Sequence, residues 1–142
     1  MKSAQELTST ATIPDRCREA VADFSRQDEA IVAVYVFGSC GKGSARPASD
    51  LDVAVLLHEQ RAPSFDLLSF AVHLERACDR RVDVVVLNRA GEILKREVRR
   101  TGVLVFERDA RARKRFEVMG RKTYEDFLHL HRRYVQATLY RS

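Results

Sequence analysis

The sequence predicts an α+β fold with α/β-like alternation: a small mixed β-sheet flanked by helices, followed by a helical extension at the C-terminal end. Two observations carry this. Short runs rich in β-branched and aromatic residues (30–37, 51–57 and 82–87) alternate with segments whose apolar residues recur at helical spacing. Beyond residue 108 only the helical spacing persists. At 142 residues the length fits one domain spanning 1–142, with a core at about 14–108 and a basic helical segment at 109–142.

The elements follow in order. Residues 14–29 form a first helix: Pro14 suits the first turn, and Cys17, Ala20, Val21 and Phe24 make an apolar stripe. Residues 30–37 are a buried strand that Gly38 ends, because nearly every side chain is apolar and several are β-branched. Residues 38–49, with Gly38, Gly41, Gly43 and Pro47, form a loop. Residues 51–57 are a second strand. Leu67, Leu68, Phe70, Ala71, Leu74, Ala77 and Cys78 place a helix at 64–79, with Ser64 as its expected N-cap. Residues 82–87 form a third strand, in which Asp83 is the single charge. Ile93, Leu94 and Val98 pattern a helix at 90–100, closed by Gly102, and 103–106 reads as a short edge strand. Residues 109–139 form one or two helices, with Gly120 the expected break.

Composition narrows the function. The hydrophobic content is 45%, and no apolar run approaches the ~20 residues needed to span a bilayer. The polar N-terminus lacks the apolar stretch of a signal peptide, so a cytoplasmic protein without membrane association is expected. Cys17, Cys40 and Cys78 form no CxxC pair, which argues for reduced thiols over a disulfide framework or zinc knuckle. The net charge of +5 is uneven: from Arg108 to Ser142 there are ten basic and four acidic residues, a balance of +6, and the rest of the chain stands at −1. That segment suits an acidic partner or a solvated helix face equally well.

The chemistry concentrates in Gly38-Ser39, a ten-residue spacer, then Asp50-Leu51-Asp52. Glycine lets backbone approach phosphate oxygens, and clustered carboxylates hold a divalent cation, so the pattern describes a site for a metal-bound nucleoside triphosphate. Asp50 and Asp52 are two apart and share a strand face. If the third strand neighbours the second, Asp83 completes a three-carboxylate cluster able to hold two Mg²⁺ ions. Burying three acids with no cation would cost several kcal/mol, on the order of the penalty for unpaired buried charge. Gly38 and Ser39 would present backbone N–H groups and a hydroxyl to the triphosphate. The loop lacks the GxxxxGK[ST] order of a P-loop, and His129 and His131, two apart on a helix, make a poor metal pair. All four histidines read as surface or packing residues, and Tyr124, Phe127, Leu128, Tyr134 and Leu139 as packing positions of a C-terminal helix.

Val36-Phe37-Gly38-Ser39, Gly43, Ser49-Asp50-Leu51-Asp52-Val53-Ala54-Val55 and Val82-Asp83-Val84-Val85 resemble the polymerase-β-type nucleotidyltransferases, and more narrowly the minimal nucleotidyltransferases (MNT) with a GSx10DxD signature. The resemblance covers roughly residues 30–108. It implies the polymerase β-like nucleotidyltransferase fold and Mg²⁺-dependent transfer of AMP from ATP. It also implies metal ligation by Asp50, Asp52 and Asp83, with Asp83 the base, and triphosphate binding by Gly38 and Ser39. Many single-domain MNT proteins are antitoxins that AMPylate a tyrosine of a HEPN-domain ribonuclease toxin, so a hetero-oligomer with such a toxin is expected. This chain has no HEPN-type Rx4–6H motif of its own and no domain for holding an acceptor. A protein acceptor fits better than direct nucleic-acid binding, with residues 108–142 the expected docking segment. Neutralisation by binding alone, or transfer to a small molecule such as an aminoglycoside, are the alternatives.

Overall fold

The computed structural model describes residues 13–38 and 50–139. Helix α1 (Asp15–Gln27) leads to strand β1 (Ile31–Phe37), and β2 (Leu51–Leu57) is the next described strand, the loop expected at 38–49 lying outside the described residues beyond Gly38. Helix α2 (Leu67–Cys78), β3 (Val82–Val86), α3 (Glu92–Thr101), β4 (Val103–Glu107) and α4 (Ala110–Leu139) complete the chain. The sheet order is β3-β2-β1-β4. β1 pairs antiparallel with both β2 and β4, whereas β2 and β3 run parallel, joined by a crossover through α2. The result is the expected mixed sheet with helices on both faces and a long C-terminal helix.

Both sheet faces are covered, which is why the strands read as continuous apolar runs without alternation. On one face α1 and α2 supply Cys17, Val21, Phe70 and Leu74 to a core with Val34, Val36, Val53 and Val55. On the other, Val98 of α3 and Phe116 of α4 pack over Tyr35, Ala54 and Leu56. The buried Tyr35 hydroxyl donates to Glu117 Oε1 at 3.0 Å, so burial with the neighbouring carboxylate pushes the phenol well above its ordinary range. Arg108, at the start of the C-terminal segment, donates to the carbonyls of Ser25 and Arg26 at 2.8 Å and Ile31 at 3.0 Å, tying β4 to the α1–β1 turn. Cys17 and Cys78 are free and buried, and burial together with the adjacent Cys17 thiol pushes Cys78 up to about 12. Cys40 lies outside the described residues.

Four expectations are corrected. Ser64 does not cap α2: it ends a 3-10 turn (Ala62–Ser64) and donates its hydroxyl to Arg61 O, while Asp66 Oδ1 accepts the Ser69 N–H at 3.0 Å. The third strand closes at Val86, Leu87 opening a 3-10 turn. Gly120 breaks nothing, since α4 is continuous over 30 residues and the glycine is a buried notch facing Arg99. Tyr124 does pack, under the guanidinium groups of Arg96 (5.2 Å) and Arg99 (5.8 Å), but Phe127, Tyr134 and Leu139 are exposed, the last two by 68% and 70%. Among the described residues no helix is long and apolar enough to cross a membrane.

Candidate active site

The site forms where β1 ends and β2 and β3 begin. Asp52 is the second residue of β2 and Asp83 the second of β3, and the parallel register pairs them directly, as it pairs Leu51 with Val82. Register partners on adjacent parallel strands lie about 4.8 Å apart and project to the same face. The alternating geometry puts this face on the α3 side, with Ala54 and Val85 two residues further along each strand. Asp50 stands exposed one residue ahead of β2. Asp52 is half-buried and Asp83 exposed on an edge strand.

The electrostatics follow from this placement. Burial, then the charges of Asp83 and Asp50, push the Asp52 carboxyl above its ordinary value. A nearby positive charge would favour its ionised form. Phe37 is the antiparallel partner of Asp52, so the next residue, Gly38, turns across that carboxylate. Gly38 has φ +71°, and a Cβ built there would lie 2.5 Å from Asp52 Oδ2. Both the left-handed conformation and the close approach demand glycine. The Gly38 N–H donates to Thr101 Oγ1 at 3.3 Å, and that hydroxyl donates to Glu97 O at 2.9 Å. Nothing in the sequence singles out Thr101 beyond a small hydroxyl residue ahead of Gly102.

Of the predicted residues, the structure brings together Gly38, Asp52 and Asp83, with Asp50 close enough for its charge to act on Asp52. Ser39 and Gly43 lie outside the described residues. Among the described residues, no group of three or more histidine, cysteine or acidic side chains is gathered into a ready-made metal cage. The donor set nonetheless fits Mg²⁺: oxygen ligands only, one carboxyl destabilised by neighbouring negative charge, and no side chain from Gly38 over Asp52 Oδ2. Such a pair leaves coordination positions for water and phosphate oxygens, as Mg²⁺ prefers. The histidines stay outside this site: His131 stacks on Phe127 at 6.2 Å and His73 approaches Phe24 at 5.2 Å.

The sheet thus carries its paired acids at the start of the neighbouring strands β2 and β3. The family model "Polymerase beta, Nucleotidyltransferase" matches residues 19–111, and the chain belongs to that nucleotidyltransferase family. No curated protein matches by sequence. Among solved structures, the fold is similar to a chain of a toxin–antitoxin complex with AMP-PNP, at 23% identity and TM-score 0.71, over 86% of this chain and 98% of that one. It is similar also to a chain of a complex of tri-AMPylated Shewanella oneidensis HEPN toxin with MNT antitoxin, at 24% identity and TM-score 0.60, over 87% and 92%. A structure assigned as a minimal nucleotidyltransferase is 35% identical, with TM-score 0.51, over 60% of this chain and 85% of its own.

Proposed function

We propose that this chain is an MNT antitoxin that transfers AMP from ATP to a tyrosine of a HEPN-domain ribonuclease toxin and thereby inactivates it. The observation that carries the reading is the register pairing of Asp52 with Asp83 beside the Gly38 turn. The solved complexes of similar fold support it: one is described with a non-hydrolysable ATP analogue, another with a tri-AMPylated toxin.

Asp50, Asp52 and Asp83 would hold Mg²⁺, which when bound neutralises triphosphate charge and stabilises the departing pyrophosphate. Gly38 shapes the turn that receives the phosphates, with Ser39 beside it in sequence. Asp83, exposed on an edge strand, is reachable by a side chain of a docked protein. It accepts the tyrosine hydroxyl proton as the phenolic oxygen bonds to the α-phosphorus. The bond from that phosphorus to the bridging oxygen breaks, and pyrophosphate leaves with the electron pair. The basic, largely exposed α4 supplies the docking surface, in a hetero-oligomer with the toxin.

The test is incubation with a co-purified HEPN partner, α-labelled ATP and Mg²⁺, read by intact-mass spectrometry. The expected result is addition of AMP units to the partner, absent with Asp50→Ala/Asp52→Ala and without Mg²⁺. Equal labelling by the double variant would refute the assigned site. A double variant that labels nothing yet still protects cells from the toxin would favour neutralisation by occlusion.

A further inference from the structure

The carboxylates are held by strand register, but the turn that must face them is held differently. Gly38 is the last described residue after β1, and its left-handed backbone lies against Asp52. A left-handed glycine is easily lost to other conformations, because glycine reaches many of them at little cost. Its N–H is engaged by Thr101 Oγ1, from the last residue of α3. Thr101 is buried to 8% exposure, and its hydroxyl proton is committed to Glu97 O within the same helix. One lone-pair direction of that oxygen is thus aimed at Gly38. The placement of Thr101 is in turn fixed by Gly102, whose N–H bonds Val98 O at 2.7 Å and where any Cβ would collide with that carbonyl. Val103 then pairs at once with Val36, two residues ahead of Gly38.

We propose that Thr101 is a positioning residue for nucleotidyl transfer: its hydroxyl locks the Gly38 turn against Asp52, setting the distance between triphosphate and carboxylates. This rests on the transferase reading of the site. Thr101 touches neither substrate nor the reacting atoms. It acts through Gly38, which leaves Gly38 to contribute by shape while its own N–H stays within the protein.

Thr101→Val keeps the side-chain shape and removes the hydroxyl, and Thr101→Ser keeps the hydroxyl. In the full chain with its partner, Thr101→Val is expected to lower kcat for AMP transfer by about tenfold or more, with KM for ATP changed less than about threefold. Misplacing a substrate-facing turn by a fraction of an ångström has effects of that size. Thr101→Ser is expected to stay within about threefold of wild type. Independently of activity, amide hydrogen exchange at Gly38 should quicken in Thr101→Val and not in Thr101→Ser, while Val34 and Val36 in β1 keep their protection. Wild-type kcat in Thr101→Val, equal loss in both variants, or unchanged Gly38 exchange in Thr101→Val would each overturn the proposal. If wild type itself transfers no AMP, the transferase reading falls, and the proposed role of Thr101 in transfer falls with it. The exchange measurement would then still show whether its hydroxyl holds Gly38.

Discussion

Asp52 sits where its charge is hardest to bear, and that has a measurable consequence. Its folded-state value is raised above the ordinary 3.8, first by burial and then by Asp83 and Asp50. Well below that ordinary value, folded and unfolded chains are both protonated and Asp52 contributes no penalty. As pH rises, the unfolded chain ionises first, so the metal-free protein loses stability until the raised folded value is passed. Asp52→Asn is neutral in both states. Its stability relative to wild type, measured without metal by urea denaturation across pH 3–8, should therefore grow with pH and then level off once the raised folded value is passed. Its AMP transfer should be absent at every pH. A flat difference would mean that Asp52 is not under this strain. Gly38→Ala should act oppositely, destabilising by about 1–2 kcal/mol through the left-handed backbone alone. Much of this was legible from spacing, since Gly38-Ser39, ten residues, then Asp50-Leu51-Asp52 fall between two apolar runs and Asp83 enters a third. That Asp83 lies beside Asp52 was not, because it depends on β2–β3 register. Nor was Thr101, because a hydroxyl reaching 63 residues back along the chain leaves no local pattern.

Elements were read well wherever burial decides and poorly wherever a local polar contact does. All four strands were anticipated because sheets covered on both faces need continuous apolar runs. Ser64 and Asp66 both suit an N-cap by residue type. Pro63 and the Ala62–Ser64 turn draw the Ser64 hydroxyl back to Arg61 O, leaving Asp66 to meet the helix. Gly120 reads as a helix breaker in isolation, yet here it makes room for the Arg99 guanidinium beneath α4. Gly102 is the element boundary with the sharpest consequence. It ends α3, starts β4 and sets Thr101, with its missing Cβ against a backbone oxygen that cannot swing away. Gly102→Ala should therefore destabilise by about 1–3 kcal/mol, the usual range for overpacking. A thermal melt would detect it, and a Tm equal to wild type would show that the α3–β4 junction yields more easily than the structure implies. The same variant should weaken AMP transfer beyond its effect on stability, because it moves Thr101.

For the whole molecule, chemistry and charge are carried by different elements. The acidic cluster lies at the β2–β3 end of the sheet, whereas the +6 balance of residues 108–142 belongs mostly to α4, about 45 Å long by its 30 residues. The first half of α4 packs through Phe116, Gly120 and Tyr124. The same helix face continues through Phe127, Leu128, His131, Tyr134 and Val135, because these positions repeat at three- and four-residue steps. There Phe127 is 36% and Tyr134 68% exposed, beside Leu130 at 62%. Substitutions at such sites leave folding almost unchanged, whereas aromatic residues buried by a partner can dominate its affinity. Phe127→Ser/Tyr134→Ser should hold within about 0.5 kcal/mol of wild-type stability per site and retain ATP binding. It should weaken partner affinity by about tenfold or more in calorimetric titration. Arg132→Gln/Arg133→Gln should instead flatten the salt dependence of association, as expected of charges that steer encounter. Unchanged affinity in the aromatic double variant would move the docking surface off α4 and onto the sheet edge beside Asp83. AMP transfer measured at saturating partner distinguishes the two: a docking defect on α4 is rescued by concentration, whereas a defect beside the carboxylates is not.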